Sequence, residues 1–214
     1  MRRRPARHPK ARRRARAPRR TARRSGPDRG RLLDAARRFL AAIGETGLAR
    51  DMRKTPARVA DAWNGEIVSG YRSDPRRILS RTILAQDHDL VVVRDIPFTS
   101  VCVHHLLPFH GTAHVAYLPG DRLVGLSKIT RAVDALSRRL QLQERLTRQV
   151  VEALAESLRP IGAACRVEAE HLCMSIRGAR KTGTRVVTSA YAGRFRTSPA
   201  LRTEFLRLTG ARAR

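Results

Sequence analysis

Between residues 90 and 192 the apolar side chains recur first at every second position, then at three and four, then at every second again. This alternation restricts the fold more than any other feature of the chain. Segments 90–101 (LVVVRDIPFTSV) and 112–118 (TAHVAYL, closed by Pro119-Gly120) read as strands. The stretch from Leu126 to about Leu140 carries Ile129, Val133 and Leu136 on one helical face. The stretch from Gln143 to about Leu158 carries Leu146, Val150, Leu154 and Leu158 in step. Segments 163–174 and 185–192 return to the strand pattern. Strand, strand, helix, helix, strand, strand predicts an α+β fold: an antiparallel sheet with two helices on one face.

Upstream, Leu32, Leu33, Ala36, Phe39, Leu40 and Ile43 recur at helical spacing, with Gly44 as the stop. Thr55-Pro56 opens a second helix, with Thr55 as cap and Pro56 in the first turn. Asp74-Pro75 marks a turn, and 198–209 closes the chain as a helix with Leu201, Phe205 and Leu208 on one face. Residues 1–30 differ: fourteen Lys or Arg, one acid (Asp28) and almost nothing to bury. Such a segment cannot offset its ordering entropy and is expected to be disordered. It is first a solvated extension, with a nonspecific nucleic-acid arm as the functional alternative. The division expected is therefore a tail (1–30), an N-terminal helical segment (31–85) and a catalytic part (86–214).

The formal net charge is +27, of which the tail holds +13, so the body remains basic and suited to an anionic partner. Three cysteines do not make a secreted disulfide framework, and no run of 18 apolar residues marks a membrane span. No apolar run follows the N-terminal arginines as a secretory signal would require, so the expected location is the cytoplasm.

Cys102-Val103-His104-His105 is the sharpest local feature. Cys102 and His105, three apart, fit one ion from a single turn, and Cys173 in His171-Leu172-Cys173 offers a third soft ligand. Thiolate and imidazole suit zinc, and three ligands leave a fourth position for water. On spacing alone this stands level with an ordinary pair of core residues. His104 and His171, beside or near the proposed ligands, are candidates to move protons. Gly125-Leu126-Ser127-Lys128 opens a helix, where free amides favour phosphate, and Ser127, Lys128 and Arg131 add polar groups at that end. Arg58 and Arg177 are further cations; singly, each reads as surface charge. Gln143-Glu144 opens the second long helix, where a carboxylate stabilises the helix or accepts from a guanine edge.

Together the segments S100–F109 (SVCVHHLLPF), G125–K128 (GLSK), Q141–T147 (QLQERLT), H171–C173 with Arg177-Gly178, T55–A60 (TPARVA) and Thr188-Ser189-Ala190 resemble the GTP cyclohydrolase I family, collinearly from about residue 31 to 210. The resemblance implies the tunnelling fold, a four-stranded antiparallel sheet backed by two antiparallel helices, assembled as a homodecamer with sites between subunits. It implies Cys102, His105 and Cys173 as ligands of Zn2+, and His104 and His171 as proton carriers. It implies Gln143 and Glu144 as the guanine pair, and Ser127, Lys128, Arg131, Arg177 and Arg58 as triphosphate contacts. The implied reaction turns GTP and water into 7,8-dihydroneopterin triphosphate and formate, the first step towards folate-type cofactors. Two positions depart from the family pattern. Val103 stands where a Glu is usual, and Asp61 where a Lys or Arg is usual, so Asp61 is expected to weaken triphosphate binding. The competing readings are a basic nucleic-acid-binding protein and a tunnelling-fold relative acting on another purine or pterin.

Overall fold

The computed structural model describes residues 26–45 and 50–210. Helix α1 (Arg29–Ala42) starts inside the predicted tail, because the Asp28 carboxylate caps it by accepting from the Arg31 N–H. The rest of the predicted disordered stretch, residues 1–25, lies outside the described residues. Gly44 follows α1 at φ 97°, a left-handed position that glycine adopts without a Cβ clash. Helix α2 (Thr55–Ala62) contains Thr55 rather than being capped by it; Lys54 precedes it in helical geometry with no side-chain cap. Pro56 sits in the first turn, where no intrahelical N–H is needed. A π turn (Trp63–Ile67) and a 3-10 turn (Ser69–Arg72) lead to α3 (Pro75–Leu79), capped by Asp74.

The remaining elements are β1 (Thr82–Leu84), β2 (Val91–Cys102), β3 (Pro108–Leu118), β4 (Arg122–Val124), α4 (Leu126–Ser137), β5 (Leu140–Gln141), α5 (Gln143–Leu158), β6 (Gly162–His171), α6 (Leu172–Ser175), β7 (Arg185–Gly193), α7 (Arg194–Thr197) and α8 (Pro199–Leu208). The main sheet runs β5-β2-β3-β6-β7; its four long strands are antiparallel, and β5 lies parallel to β2. β1 and β4 form a separate antiparallel pair that ties the N-terminal segment to the main body. The α+β reading therefore stands.

Two predicted boundaries move, each for a visible reason. The helix expected to reach Leu140 stops at Ser137, where buried Ser100 donates its hydroxyl to the Ser137 carbonyl at 2.6 Å. The chain is then free to form β5 against the end of β2. The strand expected over 163–174 stops at His171, because β3 begins at Pro108 and the ladder ends with Phe109 opposite His171. Cys173 consequently lies on the short helix α6.

One face of the sheet packs on α4 and α5. Phe98, Phe109, Val115, Tyr117 and Val167 meet Ile129, Val133, Leu136, Leu146, Val150 and Leu154 there. β3 and β6 approach closely beneath them: a Cβ on Gly111 would stand 2.0 Å from the Glu168 carbonyl oxygen. On the other face, Ala116, Ala164, Phe195 and Phe205 form a smaller cluster under α8.

Beside that cluster β2 bulges between Val93 and Ile96, with Asp95 at φ 57°. The Asp95 N–H donates to His114 Nδ1 at 3.2 Å, and His114 is only 4% exposed. Burial, then the Arg166 guanidinium, pulls the His114 pKa below its ordinary value; Arg94 acts in the same sense, and Asp95 and Glu168 oppose. The unfolded chain thus binds this proton more readily. The stabilisation is fully present above the ordinary histidine pKa of about 6.5 and is lost as pH falls below it. We expect the melting temperature to drop between pH 7.5 and pH 5, and to drop less in His114→Gln. Equal drops in the two proteins would refute the assignment.

Candidate metal centre and active site

The end of β2 makes a tight turn. The Leu106 N–H donates to the Cys102 carbonyl and the Cys102 N–H to the Leu107 carbonyl, both at 2.9 Å, with Leu106 at φ 56°. Val103 donates its backbone N–H to the Gln141 carbonyl of β5 at 3.0 Å, which anchors the turn to the sheet edge. Cys102 is thereby buried while His104 and His105 stay exposed. The Cys102 Sγ lies 4.0 Å from Nδ1 of each histidine. α6 brings Cys173 to the same place, and the donor atoms of Cys102, His105 and Cys173 lie within 4.8 Å of one another. Burial, and then the adjacent Cys102, pushes the Cys173 thiol up. A divalent cation reverses that balance by favouring thiolates. Two sulfurs and one imidazole, open to solvent on the histidine side, are a donor set suited to zinc.

His171, the last residue of β6, borders this centre. Its ring stacks on Phe109 with centroids 4.5 Å apart and an angle of 2°. Its Nε2 lies 2.7 Å from the Gln143 Oε1. Burial lowers the His171 pKa, and the Glu144 carboxylate works against this. Arg177 donates to His105 Nε2 at 3.0 Å, which places this cation at the metal centre. Gln143 and Glu144, adjacent in sequence, point to different surroundings. The Gln143 carboxamide is buried and fully engaged within the protein. Glu144 is exposed and lines a groove of about 610 Å³ between α5 and β7, shared with Thr147, Thr188 and Ser189. Among the described residues no hydrogen bond or ion pair engages its carboxylate.

Apart from Arg177, the phosphate-binding candidates do not join this group within one chain. Ser127, Lys128 and Arg131 sit in the first turns of α4, whereas its last residue, Ser137, adjoins β2 two residues from Cys102. Twelve helical residues separate the two ends by roughly 18 Å. Arg58 is exposed on α2. Asp61, one turn on, is taken up by Arg29 of α1, whose Nε and Nη2 donate to its two carboxylate oxygens at 2.5 and 3.1 Å. Its carboxylate is therefore paired within the N-terminal helices. Sequence reasoning did not find the Arg29–Asp61 pair, the Phe109 stack, the Arg177–His105 contact or the engagement of Gln143. Only the burial of Gln143 had a readable signal: it is in helical step with Leu146, Val150 and Leu154.

Comparison with known proteins agrees with this geometry. The family model described as GTP cyclohydrolase I matches residues 32–210. The chain is 50% identical over 184 residues to GTP cyclohydrolase 1 of Mycobacterium ulcerans, covering 85% of this chain and 90% of that protein. It is 47% identical over 183 residues to the enzyme of Listeria welshimeri, covering 85% and 96%. It is 47% identical over 171 residues to that of Deinococcus radiodurans, covering 79% of each. A match along nearly the whole described body, through every segment that builds the centre, shows that the chain belongs to the GTP cyclohydrolase I family.

Proposed function

We propose that this protein is a zinc-dependent GTP cyclohydrolase I, converting GTP and water to 7,8-dihydroneopterin triphosphate and formate at the head of folate and pterin synthesis. The observation that carries the reading is the convergence of Cys102, His105 and Cys173 beside His104 and His171, in a chain that matches the family over residues 32–210. A zinc ion held by that trio would supply Lewis-acid activation of a water molecule.

The chain's own residues do the rest. Glu144, exposed in its groove, accepts from the N1–H and amino group of guanine. His171, held against Phe109, and His104, beside Cys102, carry protons during ring opening and release of the carbon as formate. Arg177 and Arg58 meet the triphosphate. Ser127, Lys128 and Arg131 serve the centre of a second copy, because α4 holds them away from their own. The site is therefore complete only in a homo-oligomer, and a decamer with the tunnelling-fold sheet fits the family. The same reading keeps the tail (1–30), the N-terminal segment (31–85) and the catalytic part (86–214) as working units, with the enzyme in the cytoplasm. Among the described residues no helix is long and apolar enough to cross a membrane. The tail's cations favour weak nucleic-acid contact, which would fall steeply with salt and vanish on deletion of residues 1–25.

The test is direct. Purified, zinc-loaded protein given GTP should release formate and yield a fluorescent pterin after oxidation. Neither product, from protein shown to hold zinc, would overturn the proposal.

A further inference from the structure

Gln143 opens α5, yet its side chain turns inward and is 2% exposed. Its Nε2 lies 2.9 Å from the Val186 carbonyl oxygen, 3.2 Å from that of Val167 and 3.2 Å from Thr188 Oγ1. Main-chain carbonyls only accept, so the nitrogen of the carboxamide must face them, and the two ends of the amide are not interchangeable. The oxygen therefore faces His171. An amide oxygen also only accepts, so His171 Nε2, 2.7 Å away, must carry the proton. In the neutral ring the lone pair is then on Nδ1. Phe109 fixes the plane of the ring, and Gln143 fixes its rotation within that plane. Gln143 is itself braced: Thr147 Oγ1 donates to the Gln143 carbonyl at 2.8 Å and lies 2.6 Å from Thr188 Oγ1.

We infer that Gln143 is a positioning residue that holds His171 in the tautomer with its lone pair on Nδ1, and that it does not read the guanine edge. To reach a guanine, the carboxamide would have to abandon both buried carbonyls and the imidazole at once. Guanine recognition then falls to Glu144, whose carboxylate no hydrogen bond or ion pair engages among the described residues. The inference rests on the proposed role of His171 as a proton carrier.

Gln143→Met keeps the length of the side chain and removes its polar atoms. Loss of a partner that orients a reacting imidazole should lower kcat roughly 10- to 100-fold. KM for GTP, and the preference for GTP over inosine triphosphate, which lacks the 2-amino group, should stay within about twofold. Glu144→Gln should instead raise KM and narrow that preference. Gln143→Leu, equally unable to accept from Nε2, should show the same split between kcat and KM, and it serves if the Met variant does not fold. A narrowed preference with unchanged kcat in the Gln143 variants would overturn the inference.

A readout independent of turnover separates it from the reaction assignment. Solid-state 15N spectra of zinc-loaded, histidine-labelled protein, with His171 identified by its loss in His171→Asn, should show a protonated Nε2 and a bare Nδ1. The reverse pattern in the unaltered protein would overturn the inference even if formate is released. If no formate is released but the expected pattern is seen, the assigned reaction fails and the tautomer assignment stands.

Discussion

Cys173→Ser should empty the metal centre and stop formate release. A serine hydroxyl at this position stays protonated near neutral pH and is a poor zinc ligand, whereas a thiolate is among the best. Loss of a partner that only orients a metal ligand already costs 10- to 100-fold, so loss of a ligand should cost roughly two orders of magnitude or more. Zinc measured per chain should fall with the rate, while the fold persists, because Cys173 is half-buried on a short helix at the margin of the core. Cys165 provides the internal control. It is fully buried, and burial holds its thiol far up and protonated. Cys165→Ala should therefore keep both zinc and activity. Unchanged zinc content and rate in Cys173→Ser would remove Cys173 from the ligand set.

The second large effect is one of complementation. If α4 delivers Ser127, Lys128 and Arg131 to another copy's centre, then Cys173→Ser and a Lys128→Ala/Arg131→Ala double variant are each inactive for different reasons. Co-assembled from equal amounts, random pairing joins an intact trio to an intact helix end in about a quarter of the sites. Activity near that fraction of the unaltered enzyme should appear after unfolding and reassembly of the mixture, and none should appear when the two proteins are merely combined without subunit exchange. No recovery in verified mixed assemblies would mean that the phosphate group does not act across copies.

The order of strands and helices was legible because apolar periodicity reports which faces are buried, and α4, α5 and the four long strands have long, regular patterns. Short elements were not legible. β5 has two residues, too few for any period, and exists because Ser100 ends α4 where it does. α6 carries no pattern that distinguishes it from a continued strand; it forms because β3 starts at Pro108 and the next stretch has no ladder partner. The metal trio was legible as residue types and only half so as a site, since the spacing joins Cys102 to His105 but says nothing of the long return to Cys173. Gln143 shows the opposite case. Its helical step with Leu146 and Val150 is a signal of burial, but the family resemblance set it beside Glu144 as a guanine-binding pair. Charge pairing was the least legible: nothing in the local sequence announces that Asp61 meets Arg29, which lies 32 positions away.

The length of α4 has a consequence for how this chain can vary. In the proposed assembly the helix is a strut, with phosphate chemistry at one end and the edge of a metal turn at the other. Its exposed positions other than Ser127, Lys128 and Arg131 can change residue type freely. Its residue count cannot, because inserting one residue swings the far end by about 100° and advances it 1.5 Å. In a closed ring every copy would repeat that error at every site, with no unaltered neighbour to absorb it. Lineages of this protein should therefore tolerate substitution along α4 away from Ser127, Lys128 and Arg131, but keep twelve residues between Gly125 and Arg138.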